Sequence, residues 1–131
     1  MRLLVCGGRG WRNFKVMSER LLALAPGPHA LIHGDQRGAD RMSAEIGRSL
    51  GWRIEAYPAD WETYRLAAGP IRNKLMLDQG KPELVLAFHH DLSRSSGTAH
   101  MVKISIKAGL EVEWIDYHGN LTKYPRQGAL L

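Results

Sequence analysis

The sequence predicts an α/β fold: a single doubly wound, parallel, five-stranded sheet in the order 3-2-1-4-5, with helices on both faces. Three observations lead to it. Leu3-Leu4-Val5-Cys6, Ala30-Leu31-Ile32-His33 and Leu84-Val85-Leu86-Ala87-Phe88 are short runs without polar–apolar alternation, the texture of strands buried on both faces. Segments with apolar residues at helical spacing separate them, and strands that alternate with helices form a parallel sheet. Right-handed crossovers then put the switch point between strands one and four, where such folds bind ligands outside the carboxyl ends of the strands.

The first strand, Leu3–Cys6, ends in Gly7-Gly8-Arg9-Gly10-Trp11. Asn13 is placed to cap a helix with Phe14, Met17, Leu21 and Leu24 on its apolar face, and Pro26-Gly27-Pro28 ends it. Strand two, Ala30–His33, closes on the polar loop Gly34–Asp40. The following helix sets Ala39, Met42, Ser43, Ile46 and Leu50 against Arg41, Glu45 and Arg48, and stops at Gly51. Strand three, Arg53–Tyr57, alternates as a strand near an edge does. A longer connection, Pro58–Ala68, holds Trp61 and Tyr64; Gly69-Pro70 then starts a helix, proline at its first position, that Gly80 ends. Strand four, Leu84–Phe88, runs through the polar loop His89–Ser96 into a helix over Thr98–Ala108, with Ser95 and Ser96 as cap candidates and Gly109 as the stop. Glu111–Ile115 is strand five and His118-Gly119-Asn120 a turn. Residues 1–116 read as the domain and 117–131 as a C-terminal tail.

At 131 residues there is room for one domain. No apolar stretch approaches a membrane span, no signal-peptide layout precedes the first strand, and the lone cysteine, Cys6, forms no internal disulfide. A cytoplasmic protein without a membrane partner is expected. The net charge of +5 favours an anionic partner, although the basic residues are spread along the chain.

Gly7-Gly8-Arg9-Gly10 permits a tight turn and close backbone approach to a ligand. Its spacing is not that of a dinucleotide fingerprint, and no ATPase phosphate loop is present, so hydride transfer and P-loop chemistry are disfavoured. In Gly34-Asp35-Gln36-Arg37-Gly38-Ala39-Asp40, Asp40 or Asp35 is a candidate for a ribose hydroxyl and Arg37 for a phosphate. Arg72 and Asn73 fall in the first turn of a helix, where a cation is unfavourable unless it has an anion to hold. Ser96, Gly97 and Thr98 open the helix after strand four, whose N–H groups and dipole suit a phosphate. His33, His89, His90, Asp91 and His100 lack the spacing of a helical zinc pair, so no metal is expected. Trp11, Trp61 and Tyr64 are candidates to stack on a base, with core or rim packing the plainer alternative.

Together these motifs resemble the SLOG superfamily of Rossmann-like proteins, in particular its YspA-like (CpYpsA-related) branch. The resemblance covers about residues 1–116. It rests on Gly7-Gly8-Arg9, Arg37-Gly38-Ala39-Asp40, Pro58-Ala59-Asp60-Trp61, Gly69-Pro70-Ile71-Arg72-Asn73 and Gly97-Thr98-Ala99-His100-Met101, in that order. It implies a homo-oligomeric domain that binds nucleotides or nucleotide-derived ligands, with no settled reaction. Two more distant relatives supply rival readings. Gly97-Thr98 and Arg72 are similar to parts of the lonely-guy phosphoribohydrolase motif, but Met101 stands where those enzymes carry a glutamate, and a thioether shuttles no protons. An N-glycosidic hydrolase would need Asp40, Asp91 or His100 in its place, with Arg72 assisting. Arg37-Gly38-Ala39-Asp40 and Pro70-Ile71-Arg72-Asn73 are similar to segments of DprA/Smf proteins, which bind single-stranded DNA.

The leading expectation is binding of a small phosphorylated nucleotide ligand, with no further cofactor assigned. Gly7, Gly8, Arg9, Gly34, Arg37, Gly38, Asp40, Arg72, Asn73, Ser96, Gly97 and Thr98 are its candidate contacts.

Overall fold

In the computed structural model, which describes residues 1–125, β1 (Arg2–Gly7), β2 (Ala30–His33), β3 (Arg53–Ala56), β4 (Leu84–Phe88) and β5 (Glu111–Ile115) form the parallel part of a sheet. A sixth strand, β6 (Leu121–Tyr124), completes the order 3-2-1-4-5-6. β6 pairs antiparallel with β5, with Ile115 opposite Leu121 and Val112 opposite Tyr124. The five-strand expectation is corrected on this point. Leu121-Thr122-Lys123-Tyr124 is short and mostly exposed, so no buried apolar run marks it; the hairpin turn at Asp116–Asn120 alone brings it back along β5. Residues 126–131 of the expected tail lie outside the described residues.

The helices divide between the two faces as a doubly wound sheet requires. Helices α1 (Phe14–Leu22) and α2 (Ala39–Ser49) cover one face, where Leu3, Val5, Leu31, Leu86 and Phe88 meet Met17, Leu21 and Ile46. After the short helix α3 (Trp61–Tyr64), helices α4 (Ala68–Gly80) and α5 (Gly97–Lys107) cover the other, where Leu4, Cys6, Ile32, Val85 and Ala87 meet Met76, Met101 and Val102. Consecutive residues of β1 thus feed opposite cores, which is why that strand shows no polar alternation.

Asn13 caps α1 by accepting from Val16 N–H at 3.1 Å, as its position predicts. Phe14 departs from the expected apolar face: as the first residue of α1 it precedes the buried stripe and stays 57% exposed. The 58–68 connection contains α3, capped by Asp60, and a single 3-10 turn at Arg65–Ala67. Helix α4 starts at Ala68, so Pro70 is its third residue, still within the turn whose N–H groups have no intrahelical acceptor. Among the described residues no helix is long and apolar enough to cross a membrane.

Candidate functional site

At the switch point the chain leaves β1 and β4 in opposite directions, and the space between opens into a cleft of about 530 Å³. Gly7, Gly8 and Arg9 form one wall, Arg94 to Thr98 another, and the first turns of α4 a third through Gly69, Pro70, Arg72 and Asn73. Gln36, Trp61, Leu66, His89 and His100 complete the lining. The described lining residues include three arginines and no carboxylate.

The start of α5 is built to leave donors free. Ser95 Oγ accepts from the N–H groups of Thr98 at 3.0 Å and Ala99 at 3.2 Å. Ser95 is therefore the capping side chain, and Ser96 makes no such bond. The N–H groups of Ser96 and Gly97 donate to no protein acceptor among the described residues. They sit at the positive end of the helix dipole, on the cleft wall.

Arg72 is neither a solvent-facing arginine nor a free clamp. It is 7% exposed; its Nη1 donates to the Gly34 carbonyl at 2.6 Å and its Nε to Asn73 Oδ1 at 3.0 Å. Asn73 Nδ2 in turn reaches the Gly97 carbonyl at 3.3 Å and His100 Nδ1 at 3.1 Å. These two neighbours brace α4 against the loop after β2 and against the first turn of α5. Gly34 is the seat of this brace: a Cβ there would stand 2.7 Å from the guanidinium carbon. Nη2 of Arg72 has no protein acceptor among the described residues, leaving it available to a guest in the cleft.

Apart from Gln36, which reaches the cleft wall, the Gly34–Asp40 loop supports the site rather than lining it. Asp40, 5% exposed, accepts through Oδ2 from Gly34 N–H at 3.0 Å and Gln36 N–H at 3.3 Å. Burial pushes its carboxyl up to about 6, against the pull of those N–H groups and of Arg72. Ala39 N–H donates to the Gly8 carbonyl at 3.1 Å, so the start of α2 holds the first loop instead of an anion. Gly38, at φ 82°, lies against the carbonyls of Gly8 and Arg9, where any side chain would collide.

Of the twelve contacts expected from sequence, the cleft gathers Gly7, Gly8, Arg9, Arg72, Asn73, Ser96, Gly97 and Thr98. Gly34 lies behind Arg72, and Asp40 borders a cavity of about 30 Å³ next to the cleft. Arg37 and Gly38 line a separate hollow. Among the catalytic candidates, His100 and Arg72 line the cleft, whereas Asp91 accepts from the backbone and hydroxyl of its own neighbour Ser93. Asp35 pairs with Arg41 at 3.5 Å on the surface. Trp11 is a core residue, edge-on to Phe88 at 5.5 Å, while Trp61 is 43% exposed with the Arg9 guanidinium 5.9 Å above its ring. Sequence reasoning gave no contact role to Gln36, Leu66, His89 or Arg94. His89 follows directly on β4, so the strand-end rule would have found it; nothing in the sequence marks Leu66.

Residues 1–64 match the YspA, cpYpsA-related SLOG family. Over 119 residues the chain is 34% identical to the Gene 61 protein of Mycobacterium phage D29, spanning 85% of this chain and 93% of the phage protein. The chain belongs to the YspA, cpYpsA-related SLOG family. Within this SLOG domain Met101 is fully buried in the core beneath α5, beside Cys6 and Met76. The position that resembles the lonely-guy glutamate therefore packs a thioether into the sheet.

Proposed function

We propose that this SLOG domain binds a nucleotide or nucleotide-derived phosphorylated ligand in the cleft, with phosphate at the N-terminus of α5 and the base against Trp61. The observation that carries the reading is the pair of unpartnered N–H groups of Ser96 and Gly97 beside Arg9, Arg72 and Arg94, in a cleft without a carboxylate among its described lining residues. Such donors form charge-assisted bonds to phosphate, each worth about 1.5–3 kcal/mol. The volume falls in the range of small-molecule sites. With no acid among the described lining residues and Oδ2 of Asp40 already engaged, the arrangement favours binding over N-glycosidic hydrolysis.

Thermal unfolding against nucleosides and their mono-, di- and triphosphates tests this. Phosphorylated members alone are expected to stabilise, by about 2.7 kcal/mol at a hundred times the dissociation constant. The variant Ser96→Asp separates fold from site. An acid at the start of α5 is expected to stabilise the free protein by about 0.3–1 kcal/mol while lowering nucleotide affinity at least about tenfold, an effect of about 1.4 kcal/mol. Nucleosides that stabilise as well as nucleotides, or unchanged affinity in Ser96→Asp, would overturn the proposal.

A further inference from the structure

On the far side of the Gly8–Gly10 turn from the cleft lies a second hollow, of about 330 Å³. Arg9, Arg12, Arg37 and Phe14 line it, with Glu45 as its one acid among the described residues. Arg9 borders both spaces, so they adjoin across a single side chain. Arg9, Arg12 and Arg37 are exposed, and none of them enters an ion pair among the described residues. An exposed aromatic ring stands at either end of this basic ridge: Phe14, 57% exposed, lines the second hollow, and Trp61, 43% exposed and under the Arg9 guanidinium, lines the cleft. The helix that carries Phe14 buries Met17 and Leu21, so the ring is not spent on the core.

We propose that this ridge is a docking path for a single-stranded nucleic acid, which runs from the cleft over Arg9 into the second hollow and stacks a base on Phe14. Aromatic rings spaced by arginines are how sequence-tolerant single-strand sites are built, because every base has a face to stack and every nucleotide a phosphate to neutralise. A duplex hides its base faces and has nothing to give Phe14. A small anion needs only the cleft and leaves Arg12, Phe14 and Arg37 without a role. The path is independent of which mononucleotide the cleft prefers.

The test is fluorescence anisotropy with labelled oligothymidylate and oligouridylate of about fifteen nucleotides, a length that spans one such site, and with a duplex of the same length. Binding of at least one single strand, weaker binding of the duplex, and a log–log salt slope of about −2 for three phosphates contacted are expected. Phe14→Ala is expected to weaken single-strand binding by roughly five- to a hundredfold, the range for one lost stack. Arg12→Ala with Arg37→Ala is expected to flatten the slope to about −0.7. None of these three residues lines the cleft, so the nucleotide-induced thermal shift is expected to stay unchanged in these variants and reports that they fold. Absence of oligonucleotide binding at low salt, equal binding of duplex, or unchanged affinity in Phe14→Ala overturns the proposal. Nucleotide stabilisation without oligonucleotide binding refutes the path alone, and the reverse pattern refutes the reading of the cleft alone.

Discussion

Replacing Asp40 by asparagine isolates the charge that supports the cleft from behind. Burial raises this carboxyl from its ordinary value of 3.8 to about 6, so the folded protein holds the proton more tightly than the unfolded chain. Its contribution to stability is therefore fully present below the unfolded value and is lost as pH rises through about 6. The gap of about two pH units corresponds to about 3 kcal/mol, at about 1.36 kcal/mol per unit. Asparagine keeps an oxygen for the N–H groups of Gly34 and Gln36 and cannot ionise. The attraction of Arg72 acts only on the ionised carboxylate and is already contained in the value of about 6, so it adds no separate pH-dependent cost. The other groups with shifted values, His33 and His89 among them, titrate in both proteins and drop out of the difference. Urea unfolding of both proteins between pH 3 and 8 is expected to show the variant gaining about 3 kcal/mol on the wild type across that window. A difference flat with pH would refute the assignment of a buried, ionising carboxylate; one that shrinks as pH rises would show that its charge is favourably held.

Three further changes probe the frame around the site. Arg20→Ala strands the buried carboxylate of Glu113, which Arg20 holds through Nε at 2.7 Å and Nη2 at 2.8 Å; a loss of about 3–5 kcal/mol in urea unfolding is expected, and a loss below about 1 kcal/mol, the ceiling for most exposed pairs, would show that water reaches the pair. Gly34→Ala drives a methyl group against the Arg72 guanidinium and is expected to cost about 1–3 kcal/mol and to weaken the nucleotide-induced thermal shift. Ending the chain at Asp116 removes β6 and bares the β5 edge; concentration-dependent association in size-exclusion chromatography is the expected result, and a monodisperse, equally stable product would contradict it.

The family, the parallel order of the first five strands and the cleft's position were legible because they follow from local patterns. Leu84–Phe88 is apolar without alternation, Ser95 and Gly97 mark a helix start, and strand order follows from the handedness of crossovers. Tertiary structure alone decided that β6 joins the sheet, that Phe14 faces outward, and that the Gly34–Asp40 loop, Gln36 apart, supports the cleft without lining it. Arg72 shows the reason. Its place near the start of α4, as the fifth residue and not in the first turn that the sequence suggests, is written in residues beside it, but the carbonyl that takes its charge belongs to Gly34, thirty-eight positions away. Backbone conformation is chosen among near neighbours, whereas the partners of a buried charge are whatever the finished fold brings within 3 Å of it.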